Sequence, residues 1–139
     1  MTKSQQGFDY HGLDSYKRLA LKAAIATGGY TIRNGFKEVA WSRGESAYVV
    51  RRGRQHFAIV VEDLGTKDLV ADEMYKLTGK SYYDQVIVCN TAMATNDLIT
   101  VGALPIVYLQ HIAVAGGDWF EDEERARDLI TGQVNACAR

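Results

Sequence analysis

The stretch Tyr82-Tyr83-Asp84-Gln85-Val86-Ile87-Val88-Cys89-Asn90-Thr91-Ala92-Met93-Ala94-Thr95-Asn96-Asp97-Leu98-Ile99-Thr100-Val101 decides the fold. Its apolar residues fall on most faces of a helical wheel, as a buried helix requires. Gly102-Ala103-Leu104-Pro105 follows, and proline cannot continue the helix. Ile106–Val114 then reads as a buried strand, broken by Gly116-Gly117.

Upstream, Lys67–Leu77 has helical spacing through Leu69, Val70, Met74 and Leu77, closed by Gly79. Ala47–Arg51 and His56–Val61 flank Arg52-Gly53-Arg54-Gln55 and predict a β-hairpin. Tyr30–Glu45 mixes glycine, charge and aromatics, the composition of a loop or short strand. A helix over 14–27 is capped by Asp14 or Ser15, carries Leu19, Leu21, Ala23, Ala24 and Ile25, and stops at Gly28-Gly29. Residues 1–12 read as a flexible arm, and 13–139 as one domain.

Downstream, Asp118 can cap a last helix over 120–136. Glu121, Asp122, Glu123 and Glu124 then suit its positive dipole end, and Ala126, Leu129, Ile130 and Val134 form its inner face. The fold class that results is α+β: a mixed or antiparallel sheet, with the hairpin and 106–114 together and helices over one face. The open edges of so small a sheet predict a homodimer through it.

At 139 residues with 47% apolar and 24% charged composition, the chain is long enough to bury a core and too apolar to stay disordered. A net charge of −1 gives no basic excess, which argues against nucleic acid as a partner. No apolar run is long enough for a bilayer span, and the start lacks an apolar signal core. Cys89 and Cys137 have no metal spacing and read as reduced thiols of a cytoplasmic protein.

Two segments carry candidate chemistry. Glu62-Asp63-Leu64-Gly65-Thr66-Lys67 closes an apolar run, and Asn96-Asp97 ends the long helix. Carboxylates that hold Mg²⁺, a glycine that lets backbone approach phosphate, and a lysine point charge together suit a metal–nucleotide site. Asp97 in an apolar helix is costly without a partner, while Asn96 points about 100° away from it. Glu62 and Asp63 would alternate faces at a strand end. The segment is not a Walker phosphate loop, because G-x-x-x-x-G-K is absent. His56 and His111 read as hydrogen-bonded structural histidines, and His11 as a ligand-facing or surface residue. No Ser/His/Asp or Cys/His set can be assembled, so no catalytic residue is assigned.

The same segments carry a resemblance. Glu62–Lys67 resembles the D-G-V-G-T-K segment of aminoimidazole ribonucleotide synthetase, and Asn96–Pro105 resembles that family's N-D-hydrophobic-hydrophobic-x-x-G-A-x-P segment. Tyr10-His11-Gly12-Leu13-Asp14 resembles its Y-x-x-A-G-V-D-like opening. The resemblance implies the ATP-binding N-terminal domain of an enzyme that closes the ring of formylglycinamidine ribonucleotide, using ATP and Mg²⁺. It implies Asp97 and Glu62 as metal ligands, and Gly65, Thr66, Lys67 and Asn96 as nucleotide contacts. It further implies a small-molecule nucleotide substrate and a homodimer whose sheets close a barrel. Because the chain stops before the family's G-G-E-T-like segment, an incomplete domain, inactive alone, is expected, with a separate C-terminal half as a possible partner.

Two departures stand against full function. Asp63 replaces a glycine, and Cys89 with neighbouring Asn90 falls where the family carries an aspartate. Asn90 could still offer a carbonyl oxygen, without charge. Two alternatives follow: another ATP enzyme of the same superfamily, or a non-catalytic dimerisation or regulatory module.

Overall fold

The computed structural model describes residues 10–138, with side chains from Gly12 onward. The elements are α1 (Tyr10–Thr27), α2 (Gly29–Arg33), β1 (Lys37–Glu38), β2 (Tyr48–Arg52), β3 (Gln55–Ile59), α3 (Lys67–Thr78), α4 (Tyr83–Thr100) and α5 (Glu123–Cys137), with 3₁₀ turns at Ala40–Ser42 and Gly117–Glu121. The class is α+β, as expected. The chain divides into two compact units, Met1–Phe57 and Ala58–Arg139.

The first unit holds α1, α2 and a three-stranded antiparallel sheet in the order β1-β2-β3. Lys37 pairs with Arg51 and Glu38 with Val50. The hairpin forms where expected. Gly53 sits at φ 59° while Arg54 keeps a negative φ, the dihedral signature of a type II′ turn, whose twist matches its strands. Val49, Val50 and Ala47 are buried. Buried Ser42 ties the β2 backbone to the 3₁₀ turn: its hydroxyl donates to Val39 O at 2.8 Å and accepts from Val49 N–H at 2.8 Å. Arg43 forms an ion pair with Glu38 and lies over the Tyr48 ring. The first helix starts earlier than expected, so Asp14 and Ser15 lie inside α1 and cap nothing. Of the expected arm, 1–9 falls outside the described residues, while Tyr10–Gly12 are helical.

Helices make up the second unit. Its core joins Ala71 of α3, Tyr83 and Ile87 of α4 and Leu129 of α5, with Val86 and Trp119 packed against it. The expected helix over Tyr82–Val101 forms as α4, the central element. Gly132 of α5 lies so close to α4 that a Cβ there would stand 2.5 Å from Asp84 O. Tyr83 donates its hydroxyl to Asp72 at 2.9 Å, and burial first, then that carboxylate, push the phenol up to about 12. Arg125 donates to Trp119 O at 2.7 Å and stacks over the Trp119 ring.

Capping differs in one place. The α5 N-cap is Asp122, whose carboxylate accepts from Arg125 N–H at 3.0 Å, and Asp118 belongs to the 3₁₀ turn before it. The backbone hydrogen bond from Arg125 holds the Asp122 carboxyl below the usual range. A lowered folded-state pKa stabilises above the ordinary carboxylate pKa and loses that contribution as pH falls through the folded value. Asp122→Ala should therefore cost about 1 kcal/mol at pH 7. The cost should shrink in acid unfolding measurements as pH falls below the ordinary carboxylate range.

Three further expectations are corrected. Ile106–Val114 forms no strand. From Leu104 to Val114 no backbone hydrogen bond to the rest of the described chain is made, and the sheet takes β1 instead. Strand-like composition needs an edge to pair with, and no edge of the described chain accepts it. Leu104, Ile106 and Leu109 are consequently 81%, 86% and 87% exposed. On α3 it is Ala71 that faces the core, while Leu69, Val70 and Leu77 face outward. On α5, Leu129 is buried but Ile130 and Val134 are exposed. Within the second unit α4 packs on both α3 and α5.

Candidate functional site

The candidate site lies wholly in the second unit, between the segment 60–67 and the C-terminal half of α4. The strand β3 ends at Ile59, and 60–64 is irregular, so Glu62 and Asp63 do not alternate along a strand. Gly65 turns the chain at φ 62°, in the left-handed region that favours glycine, and a Cβ there would meet no atom within 4 Å. Thr66 is the N-cap residue of α3 without a side-chain cap bond, and Lys67 is its first helical residue. The first turn of α3 is thus placed directly beside the candidate acidic residues in sequence.

Across from this segment, Met93 and Asp97 lie one helical turn apart on one face of α4. The Glu62 carboxyl meets that of Asp97. Partial desolvation first, then the hydrogen bond to and repulsion from Asp97, raise the Glu62 carboxyl above its ordinary range. The Lys67 ammonium does not touch either acid. It lies against the Met93 side chain, and no carboxylate among the described residues forms an ion pair with it.

The structure therefore brings Glu62, Asp97, Gly65, Thr66 and Lys67 into one neighbourhood. Asn96 stands apart from it: it is exposed while Asp97 is half-buried, as their 100° separation on a helix requires. Asn90 is buried and commits its amide N–H to the Tyr108 hydroxyl at 2.9 Å, and its Oδ1 is buried without a partner. Cys89 is exposed.

The histidine expectations are also corrected. His56 is exposed on β3 and His111 exposed in the irregular segment, and neither side chain makes a hydrogen bond among the described residues. The His11 side chain lies outside the described residues. A separate shallow pocket of about 400 Å³ lies in the first unit, lined by Leu21, Ala24, Gly28, Arg43 and Tyr48 among others, and contains none of the candidate residues.

Curated relatives decide the kinship. Phosphoribosylformylglycinamidine cyclo-ligase of Methanobrevibacter smithii is 34% identical over 97 residues, 70% of this chain and 27% of that protein. The Thermococcus kodakarensis enzyme of the same name is 33% identical over 139 residues, covering 98% of this chain and 39% of that protein. The chain is homologous to the phosphoribosylformylglycinamidine cyclo-ligases. The Pyrococcus furiosus cyclo-ligase is 29% identical, again over 98% of this chain and 38% of its own. The chain thus spans about two fifths or less of the length of the cyclo-ligases it matches. No protein-family model matches it, and no solved structure does. Among the described residues, no helix is long and apolar enough to cross a membrane.

The donor set fits the metal that the cyclo-ligase resemblance implies. Among the described residues no cluster of three His, Cys, Asp or Glu could hold an ion. Mg²⁺ does not need one: it is ordinarily held by one or two carboxylates, with water and substrate phosphates completing its shell. Two facing carboxylates with no cation between them repel, and a divalent ion relieves that repulsion.

Proposed function

We propose that this chain supplies the ATP- and Mg²⁺-binding part of a cyclo-ligase reaction of purine biosynthesis, the ATP-dependent ring closure of formylglycinamidine ribonucleotide. The single observation that carries this reading is the meeting of Glu62 and Asp97 beside the Gly65-Thr66-Lys67 entry to α3. Asp97 and Glu62 would hold Mg²⁺. Lys67 and backbone N–H groups at the start of α3 would face the phosphate oxygens, where an unpaired cation and a helix N-terminus both favour anions. The nucleotide's phosphates bring several negative charges that the two carboxylates alone would repel, and Mg²⁺ neutralises charge on both sides. Asn96, exposed on α4, belongs at most to the rim of such a site.

The departures bear on strength rather than on place. No carboxylate stands at Cys89 or Asn90; the Asn90 amide N–H goes to Tyr108, and its carbonyl oxygen brings no charge. A site with two acidic ligands rather than three should hold Mg²⁺ chiefly through ATP itself. This favours weak, strictly ATP-dependent metal binding and no ring closure by the chain alone. A second reading, a dimerisation module without nucleotide, is favoured by the same missing carboxylate and by Asp63 at a glycine position. Mg²⁺-dependent binding of ATP separates the two, with Asp97→Asn as the discriminating variant.

We further read the chain as a homodimer. The support is the run from Leu104 to Val114, apolar, exposed and without backbone partners, which has the character of a strand awaiting an edge. Closure of a barrel by two copies would satisfy it. Analytical sedimentation at tens of micromolar, roughly the range in which weak association is visible, should show a dimer. A clean monomer there would contradict the dimer.

A further inference from the structure

The net charge of −1 hides a division of the chain. Residues 1–57, the first unit, carry ten Lys and Arg against four Asp and Glu, a net +6, while 58–139 carry six against thirteen, a net −7. The sheet orders part of that positive charge. Lys37 of β1 stands directly opposite Arg51 of β2. The two-residue turn Gly53-Arg54 joins the last residue of β2 to the first of β3, which sets Arg51 opposite His56. The residues beside these three meet on the other face: Arg52 lies over the Phe36 ring at 5.5 Å, and Phe36 packs edge-on to Phe57 at 5.9 Å. By alternation Lys37, Arg51 and His56 share one face, about 5 Å from strand to strand, and all three are exposed. Like charges directly opposite each other, as at Lys37 and Arg51, destabilise a sheet. The one acid of β1, Glu38, belongs to the other face and pairs with Arg43.

We propose that this face of the sheet binds the phosphodiester backbone of a single-stranded nucleic acid. Arg51 meets phosphate oxygens through paired N–H bonds and Lys37 as a point charge, and the phosphates relieve the repulsion between the two cations. His56 adds an N–H donor, and exposed Arg54 in the turn extends the row beyond the strands. The pocket of the first unit lies elsewhere. An open row of cations suits a chain of charges, not one enclosed anion. Bare aromatic rings accompany the charge: Tyr16, Tyr30 and Trp41 of the first unit are each more than half exposed. Bases stack on such rings, whereas an acidic protein surface has no comparable use for them, and this decides for nucleic acid over acidic protein. Positive charge and exposed aromatic rings together are what single-strand binding without sequence preference requires. The whole-chain charge argues against nucleic acid only because the two units cancel. The proposal does not depend on the nucleotide reading of Glu62 and Asp97.

The test is fluorescence anisotropy of the full chain with a fluorescein-labelled oligouridylate of about twelve nucleotides, within the usual range of site sizes, at low and then rising salt. Log affinity should fall with log salt with a slope of about −2, the counterion release of roughly three phosphates. Lys37→Gln/Arg51→Gln should weaken binding at least about fivefold and bring the slope to about −0.7. That variant should melt no lower than the parent, because a like-charge pair is removed. Lys76→Gln/Arg127→Gln removes the same charge from exposed positions of the second unit and should leave affinity and slope unchanged. Tyr30→Ala/Trp41→Ala should weaken binding and keep the slope. No binding at low salt overturns the proposal. Equal weakening by the two charge-removing variants also overturns it, since bulk charge alone would then act. Polyglutamate that displaces the probe as well as unlabelled oligouridylate does, with no effect of Tyr30→Ala/Trp41→Ala, would show a site for acidic protein instead.

Discussion

Replacing Gly132 with alanine is expected to destabilise the helical unit by about 2–3 kcal/mol, or roughly 10 °C in Tm. The sign is not obvious from local rules. In a helix interior alanine is better than glycine by about 1 kcal/mol, so an isolated α5 would gain. Packing reverses this. A Cβ at residue 132 would stand 2.5 Å from Asp84 O, 2.6 Å from Ile87 Cγ2 and 2.7 Å from Asp84 Cα. Two of those atoms are backbone and cannot rotate away, so α4 and α5 must separate. Separation would open the core around Ile87 and Leu129, the most tightly buried apolar side chains of that unit together with Ala71 and Tyr83. Thermal unfolding followed by circular dichroism checks it. A raised Tm would show that the two helices are not in close contact at this glycine.

The second large effect is at the carboxylate pair. Asp97→Asn should weaken Mg²⁺-dependent ATP binding by at least about tenfold, the loss expected from removing one charged ligand. The same variant should leave thermal stability unchanged or slightly raised, because it removes the like charge that, after desolvation, helps to lift the Glu62 carboxyl. That combination, function lost and stability kept, distinguishes a binding site from a structural contact. Lys67→Ala should weaken Mg²⁺–ATP binding by a separate route, through the phosphates.

Much of this was legible in the sequence, for reasons that can be stated residue by residue. The α4 helix was readable because apolar residues fall on most of its faces over a long stretch free of glycine and proline. The hairpin was readable because Gly53 supplies a positive φ between two β-branched and aromatic runs. The proximity of Glu62 and Asp97 followed from the resemblance of two segments to one family, not from periodicity. What was not legible depended on tertiary choice. Helical spacing in Lys67–Leu77 gives an apolar stripe, but Ala71 rather than Leu69 or Leu77 meets the core. Composition makes Ile106–Val114 fit to be a strand, yet a strand exists only when an edge receives it. The Lys67–Met93 contact joins residues far apart in the chain, and no local rule pairs an ammonium with a thioether. Gly132 did leave a signal: an isolated glycine inside a helical pattern commonly marks a close approach.

The central claim is that Glu62, Asp97 and the start of α3 form a Mg²⁺–ATP site. Titration calorimetry of ATP into the full chain, with and without Mg²⁺, tests it most directly. The account predicts binding that is weak, that requires Mg²⁺, and that falls at least about tenfold in Asp97→Asn. No heat of binding in either condition, or affinity unchanged by Asp97→Asn, would contradict it.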